Sequence, residues 1–172
     1  MASRRLLLAS LLPAALAGCG FRLQGSRPLP EPLQRVYLDS QQPYSVDEPP
    51  VETSLRTRLR RRGAVVTGDR GDANAVLTIT DLREESNVLS VNTRGRAIEF
   101  EIFVEVTFSL SDDEGVLIAP QTLSARRALS FPSEQILPKE SEEERLKTFL
   151  QDELAERILL QLEVRLTQGG EG

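Results

Sequence analysis

The clearest hydrophobic pattern in the chain is "AIEFEIFVEVTFSL", residues 97–110. Ile98, Phe100, Ile102, Val104, Val106, Phe108 and Leu110 share one parity, and Glu99, Glu101, Glu105, Thr107 and Ser109 share the other. Strict period two predicts a long strand with one buried and one polar face. Phe103 interrupts the polar parity, which suits a contact with a neighbouring strand or a partner. A second pattern has period four. Leu146, Leu150, Leu154, Ile158, Leu162 and Leu166 recur at one helical face, with Phe149 and Leu159 beside them. They predict a long amphipathic helix after "SEEE", residues 141–144, read as a capping box with Ser141 as N-cap.

Weaker signals fill in the remainder. "RVYLDS", residues 35–40, alternates as a short strand. Val51, Leu55 and Leu59 mark a helix that begins at Pro49–Pro50 and stops at Gly63. "AVV", residues 64–66, suits a brief extended piece. "AVLTITDL", residues 75–82, continuing through "NVLSV" at 87–91, reads as a strand. Gly95 then turns a hairpin into the 97–110 strand. "SDDEG" makes the next turn. "QTLSARRALSF", residues 121–131, reads as the last strand, with Arg127 in the same phase as the apolar Leu123, Ala125, Leu129 and Phe131 and therefore expected at a bulge or exposed at an end. The order predicts an α+β fold: two helices packed on one face of a four-stranded mixed, mostly antiparallel sheet. The strands joined by a helix pair in parallel, and the hairpin-connected strands antiparallel.

The N-terminus changes the picture of where this domain resides. Arg4 and Arg5 precede an apolar run, Leu6–Ala17, too short to span a bilayer as a helix. Basic start, short apolar run and small residues describe a secretory signal peptide, residues 1–18. "LAGC", residues 16–19, has the form of a bacterial lipobox, and its Cys19 is the only cysteine in 172 residues. Cys19 is thus expected to be the acylated first residue of the mature protein, and Gly20 after it points to the outer membrane. More than one acyl chain is what makes such an anchor stable. Residues 19–34 read as a lipidated, proline-punctuated tether, 35–166 as the folded domain, and 167–172 as a disordered tail.

Composition narrows the function classes. The chain carries a formal charge of −5, with no histidine and no tryptophan. The acidic balance argues against nucleic acid. A lone cysteine without histidine removes the usual transition-metal and Cys–His or Ser–His sets, so no metal or cofactor is expected. The paired glutamates of the 97–110 strand lack a cleft and a basic partner, and read as a solvated face. Arg58, Arg60, Arg61 and Arg62 crowd the end of the first helix, where they complement its dipole. A binding or assembly role remains, not an enzyme. Its candidate contacts are basic residues at bends: Arg94 and Arg96 around the hairpin glycine, Arg126 and Arg127 on the last strand, and Lys139 between that strand and the last helix. Each suits a phosphate, or a charge that blocks edge pairing.

Taken in order, "CGFRLQG", "VYLDS", the arginine-rich helix closing at Gly63, "RGRAIEFEI" and "LPKESEEE" resemble the LptE family of lipopolysaccharide-assembly lipoproteins. The resemblance runs from Cys19 to about Leu166. It implies two helices on a four-stranded sheet. It implies a plug inside the LptD outer-membrane β-barrel that assists the assembly of that barrel, binds lipopolysaccharide near the lipid A phosphates, and takes part in inserting it into the outer membrane. It implies a lipid anchor, with palmitate among the acyl groups, on the periplasmic side of a Gram-negative outer membrane. Lys139 in "LPKESEEE" matches the lysine the family places in lipopolysaccharide binding. The arginine just before the hairpin glycine falls at Thr93, with Arg94 and Arg96 beside it, and either arginine suits the role. The alternative is a periplasmic scaffolding lipoprotein with no lipid ligand.

Overall fold

The computed structural model describes residues 28–41, 48–130 and 137–169. The elements run α1 (Glu31–Gln34), β1 (Arg35–Ser40), α2 (Pro50–Arg61), β2 (Val65–Thr67), a 3-10 turn (Arg70–Asp72), β3 (Ala75–Val91), β4 (Ala97–Ser111), β5 (Val116–Ser130) and α3 (Leu137–Gly169). One open sheet has the order β2-β1-β3-β4-β5. β1 pairs in parallel with both β2 and β3, and β3–β4 and β4–β5 are antiparallel. The sheet therefore has five strands rather than the expected four. The extra one is β2, the short "VVT" at the edge, too brief to stand out from the loop around it. Among the described residues the helices number three rather than two.

β4 behaves as its alternation requires. Every even position from Phe100 to Leu110 is buried, and the odd positions are half-buried. Val51, Leu55 and Leu59 of α2 are fully buried, as are Leu150, Leu154, Ile158 and Leu162 of α3. These residues join Ile102, Val104, Val106, Phe108 and Leu110 of β4 in one hydrophobic cluster. α2 ends as the glycine predicts. Gly63 takes φ 89°, Ala64 N–H donates to Leu59 O at 3.0 Å, and Gly63 N–H to Arg60 O at 3.0 Å. That double bond pattern over a left-handed glycine satisfies the last carbonyls of the helix.

Four local expectations are corrected. α3 begins at Leu137, so Ser141 lies inside the helix and is no N-cap. Pro138 is at home in a first helical turn, where its missing N–H costs nothing. α3 continues past Leu166 to Gly169, and the Thr167 hydroxyl donates to Glu163 O at 2.7 Å. The proline-punctuated stretch before β1 is not extended throughout: α1 forms there, and Leu29 and Leu33 are buried in the core cluster. Arg127 meets its expectation by exposure rather than by a bulge, in regular register opposite Ile102. β5 starts earlier than expected, at Val116. It is an edge strand, which tolerates Pro120.

Candidate functional site

The β3–β4 hairpin turn is built around one asparagine. Asn92 N–H donates to Arg96 O at 2.8 Å, and Gly95 N–H donates to Asn92 O at 2.9 Å. The Asn92 side-chain oxygen accepts from both Arg94 N–H, at 2.9 Å, and Arg96 N–H, at 3.0 Å. Gly95 closes the turn with φ 74°, a conformation other residues adopt at a cost. The backbone donors of both arginines are thus satisfied within the turn, and both residues are exposed at its tip. Among the described residues Arg94 has no ion pair. The strand leading into the turn is unusually apolar for an exposed segment: Val88, Leu89 and Val91 are 55%, 51% and 57% exposed.

Lys139 was expected in the link before the last helix. Its backbone instead lies in the first turn of α3; its side chain is outside the described part, as is Cys19. Topology brings this turn and the hairpin to one end of the fold. β5 ends opposite the start of β4, Ser130 against Glu99. α3 then returns antiparallel to β5: Arg127 pairs with Glu153 at 3.3 Å, Arg157 donates to Ser124 O at 3.2 Å, and Arg165 to the Gln121 side chain at 3.2 Å. From Glu153 back to Lys139 the helix advances about 21 Å at 1.5 Å per residue. From Ile102, opposite Arg127, to Gly95 the strand advances about 23 Å at about 3.3 Å per residue. Both run the same way, so the α3 start and the hairpin tip lie at similar height.

Some of the other candidate cations have partners. Arg58 meets Asp152 at 2.8 Å and Glu156 at 3.4 Å, Arg62 pairs with Glu163, and Arg56 with Glu48 at 2.9 Å. Arg58 and Arg62 thus tie the two long helices together, while Arg60 and Arg61 are exposed with no ion pair among the described residues. Arg126 is exposed on β5. The glutamates of β4 do not form a catalytic set: they are half-buried, and Glu99 accepts from Ser90 Oγ at 3.3 Å. Among the described residues no cluster suits a metal ion, and no helix is long and apolar enough to cross a membrane.

Two polar residues of consequence escape sequence reasoning. Gln151 is 4% exposed; its side-chain oxygen accepts from Val51 N–H at 3.0 Å, and its amide donates to Glu84 at 2.5 Å. It caps the start of α2, whose own N-cap, Pro49, offers no side-chain bond. Glu52, in the first turn of α2, is 5% exposed, and its Oε1 has no hydrogen-bond partner. Burial pushes its carboxyl above the ordinary value. A hydrogen bond with Ser40 and the charge of Arg56 act against that, and Glu48 and Asp39 add to it. Nothing in the spacing of either residue announces its environment, because the partners come from other elements.

The sequence profile of the LptE family, described as lipopolysaccharide-assembly, matches residues 33–162. The chain is 28% identical over 156 residues to the LPS-assembly lipoprotein LptE of Photorhabdus laumondii, covering 91% of this chain and 83% of that protein. It is 29% identical over 159 residues to the protein of the same name in Yersinia enterocolitica, covering 91% and 74%. The solution structure of an uncharacterized lipoprotein B from Nitrosomonas europaea superposes with a TM-score of 0.68 at 27% identity, over 88% of this chain and 96% of that one. The crystal structure of the rare lipoprotein B from Shewanella oneidensis shares the fold, with a TM-score of 0.65 at 22% identity over 80% and 99%.

Proposed function

Because the chain belongs to the LptE lipopolysaccharide-assembly family, we propose that it is a lipid-anchored protein of lipopolysaccharide transport, acting on the periplasmic side of the outer membrane. In this reading residues 1–18 are removed and Cys19 carries the acyl chains. The domain plugs the LptD β-barrel, assists its assembly, and contacts lipopolysaccharide at the lipid A phosphates. The family match across most of the folded chain carries the reading.

The hairpin geometry supports the lipid contact. An arginine held by its backbone at an exposed turn, with no acid beside it, is available for charge-assisted bonds to phosphate. Lys139, at the same end of the fold, is assigned the second contact, and Arg96 a third. The half-buried, glutamate-rich face of β4 is compatible with a barrel lumen, which is polar in proteins of this architecture. The role is one of assembly and transport rather than catalysis.

Affinity purification of the lipidated protein from membranes tests the plug. A large β-barrel is expected to co-purify, and its absence overturns that part. Binding of lipopolysaccharide to the purified protein tests the contacts. Arg94→Glu and Lys139→Glu are each expected to weaken it by about tenfold or more, one charge-assisted bond each. Unchanged binding in both variants overturns the lipid contact and leaves a scaffolding lipoprotein.

A further inference from the structure

Val88, Leu89 and Val91 are each about half exposed on a β-strand that is otherwise well ordered by pairing. Singly exposed apolar side chains are ordinary. Three within four positions, beside two register shifts in the ladder, are not. The shifts fall between Val88 and Ser90 and between Ser90 and Val91, so Leu89 has no partner opposite it on β4. Irregularities of this kind re-aim side chains. Val88 pairs with Phe100, the first buried residue of the β4 row. The apolar surface thus continues past the region where Phe100 is covered. The tip immediately beyond it is cationic, with Arg94 unpaired among the described residues. Of the acids along this arm, Glu99 accepts from Ser90, Glu85 pairs with Arg83, and Glu84 is held by Gln151 and Lys147, while Glu101 lies across from Asn87, half-buried.

An apolar shoulder behind a cationic tip matches one chemistry, that of an anionic amphiphile. At about 3.3 Å per residue, Arg94 stands at most about 10 Å from Val91 and about 20 Å from Val88. That span covers a phosphate and the upper part of an acyl layer, whose single leaflet is about 15 Å deep. The geometry points to the β3–β4 arm as an interfacial lipid reader: Arg94 takes a phosphate while Val88, Leu89 and Val91 take the acyl chains next to it. The inference rests on the lipid-contact reading above and adds to it the acyl part of the ligand and the residues that meet it.

The absence of tryptophan makes the test direct. Leu89→Trp in the full-length protein places a single indole on the shoulder. Val116→Trp, 70% exposed at the opposite end of the sheet, is the control. With intact lipopolysaccharide the Leu89→Trp emission is expected to shift to the blue, and with chemically deacylated lipopolysaccharide or inorganic phosphate it is not; Val116→Trp shifts with none of them. No shift with intact lipid overturns the inference, and so does an equal shift with the deacylated form, or one that needs the purified barrel. Affinities separate this inference from the reading it rests on. Leu89→Ser/Val91→Ser is expected to lose about tenfold toward intact lipopolysaccharide and nothing toward the deacylated form, whereas Arg94→Glu loses toward both. If the serine pair binds both forms as the parent does while Arg94→Glu is impaired, the acyl contact is refuted and the phosphate contact stands. If neither variant is impaired, both fail. Thermal melting of each variant confirms that the comparison is between folded proteins.

Discussion

Replacing Glu52 by glutamine should stabilise the protein at neutral pH and do little in acid. Glu52 is 5% exposed, and its Oε1 lacks a partner. An unsatisfied buried acceptor costs about 1–3 kcal/mol, and more when charged. The first-turn position of a helix returns about 0.3–1 kcal/mol to a carboxylate through the dipole, and the Ser40 hydrogen bond returns a further part. The balance is a penalty of about 1–2 kcal/mol on the ionised form. The sign follows from the raised carboxyl. The folded protein holds the Glu52 proton more tightly than the unfolded chain, whose glutamate keeps its ordinary value of 4.5. Below that value both states are protonated and no penalty exists. As pH rises through the folded-state value the native state alone bears the cost, so stability falls across that window and stays lower above it. Glutamine keeps the shape and removes the charge. Melting temperatures of parent and Glu52→Gln, followed by circular dichroism, should differ by about 3–6 °C in favour of the variant at pH 7.5. The gap should close toward pH 4. A gain of equal size at both pH values, or a loss at pH 7.5, refutes the argument.

Gln151→Ala should lower stability by about 1–3 kcal/mol in chemical denaturation, because it leaves the Val51 N–H without its acceptor and removes the amide donor to Glu84, which keeps only Lys147 among the described residues. Gly95→Val places a β-branched side chain at φ 74°; a loss of about 1–3 kcal/mol is expected, with weaker lipopolysaccharide binding because both arginines are re-aimed. Leu154→Ala empties a fully buried site between α3 and the sheet and should cost about 2–5 kcal/mol. Arg127→Ala breaks only an exposed pair with Glu153 and should change stability by less than about 1 kcal/mol.

Legibility in the sequence tracked the range of the interactions. β4 and the buried stripe of α3 are periodic within themselves: Phe100 to Leu110 at even positions and Leu150, Leu154, Ile158, Leu159 and Leu162 are buried as expected, whereas Phe149, placed beside that stripe, is 52% exposed. The end of α2 was legible for the same reason, since Gly63 needs no distant partner. β2 was not, because three residues acquire strand character only from β1 beside them. The α1 turn was hidden by Pro30 and Pro32, which read as tether until Leu29 and Leu33 find the core. At the site, Gly95 announced the turn and its flanking arginines. Ser141 misplaced the helix start because a capping box and a first-turn proline were both plausible in "LPKESEEE". Gln151 was invisible: its acceptor role is set by a backbone N–H 100 positions away in the chain.

The same contrast explains which arginines can serve a ligand. By sequence, the cluster at the end of α2 is the densest positive patch in the chain, and the hairpin pair is unremarkable. The fold halves that patch, leaving only Arg60 and Arg61 of it exposed without an ion pair among the described residues. α3 lays Asp152, Glu156 and Glu163 against α2, so Arg58 and Arg62 are engaged in holding the helices together. An anion approaching them would have to displace a carboxylate already in place. Among the described residues no acid pairs with Arg94, and Asn92 accepts from its backbone N–H. Charge density along a sequence therefore misleads where a second element supplies the counter-charge, and an arginine at a turn escapes because no element packs over it. Increasing salt should weaken lipopolysaccharide binding in the parent more than in Arg94→Glu, since the variant lacks the exposed charge that salt screens. If both show the same salt dependence, Arg94 is not the residue that meets the phosphate.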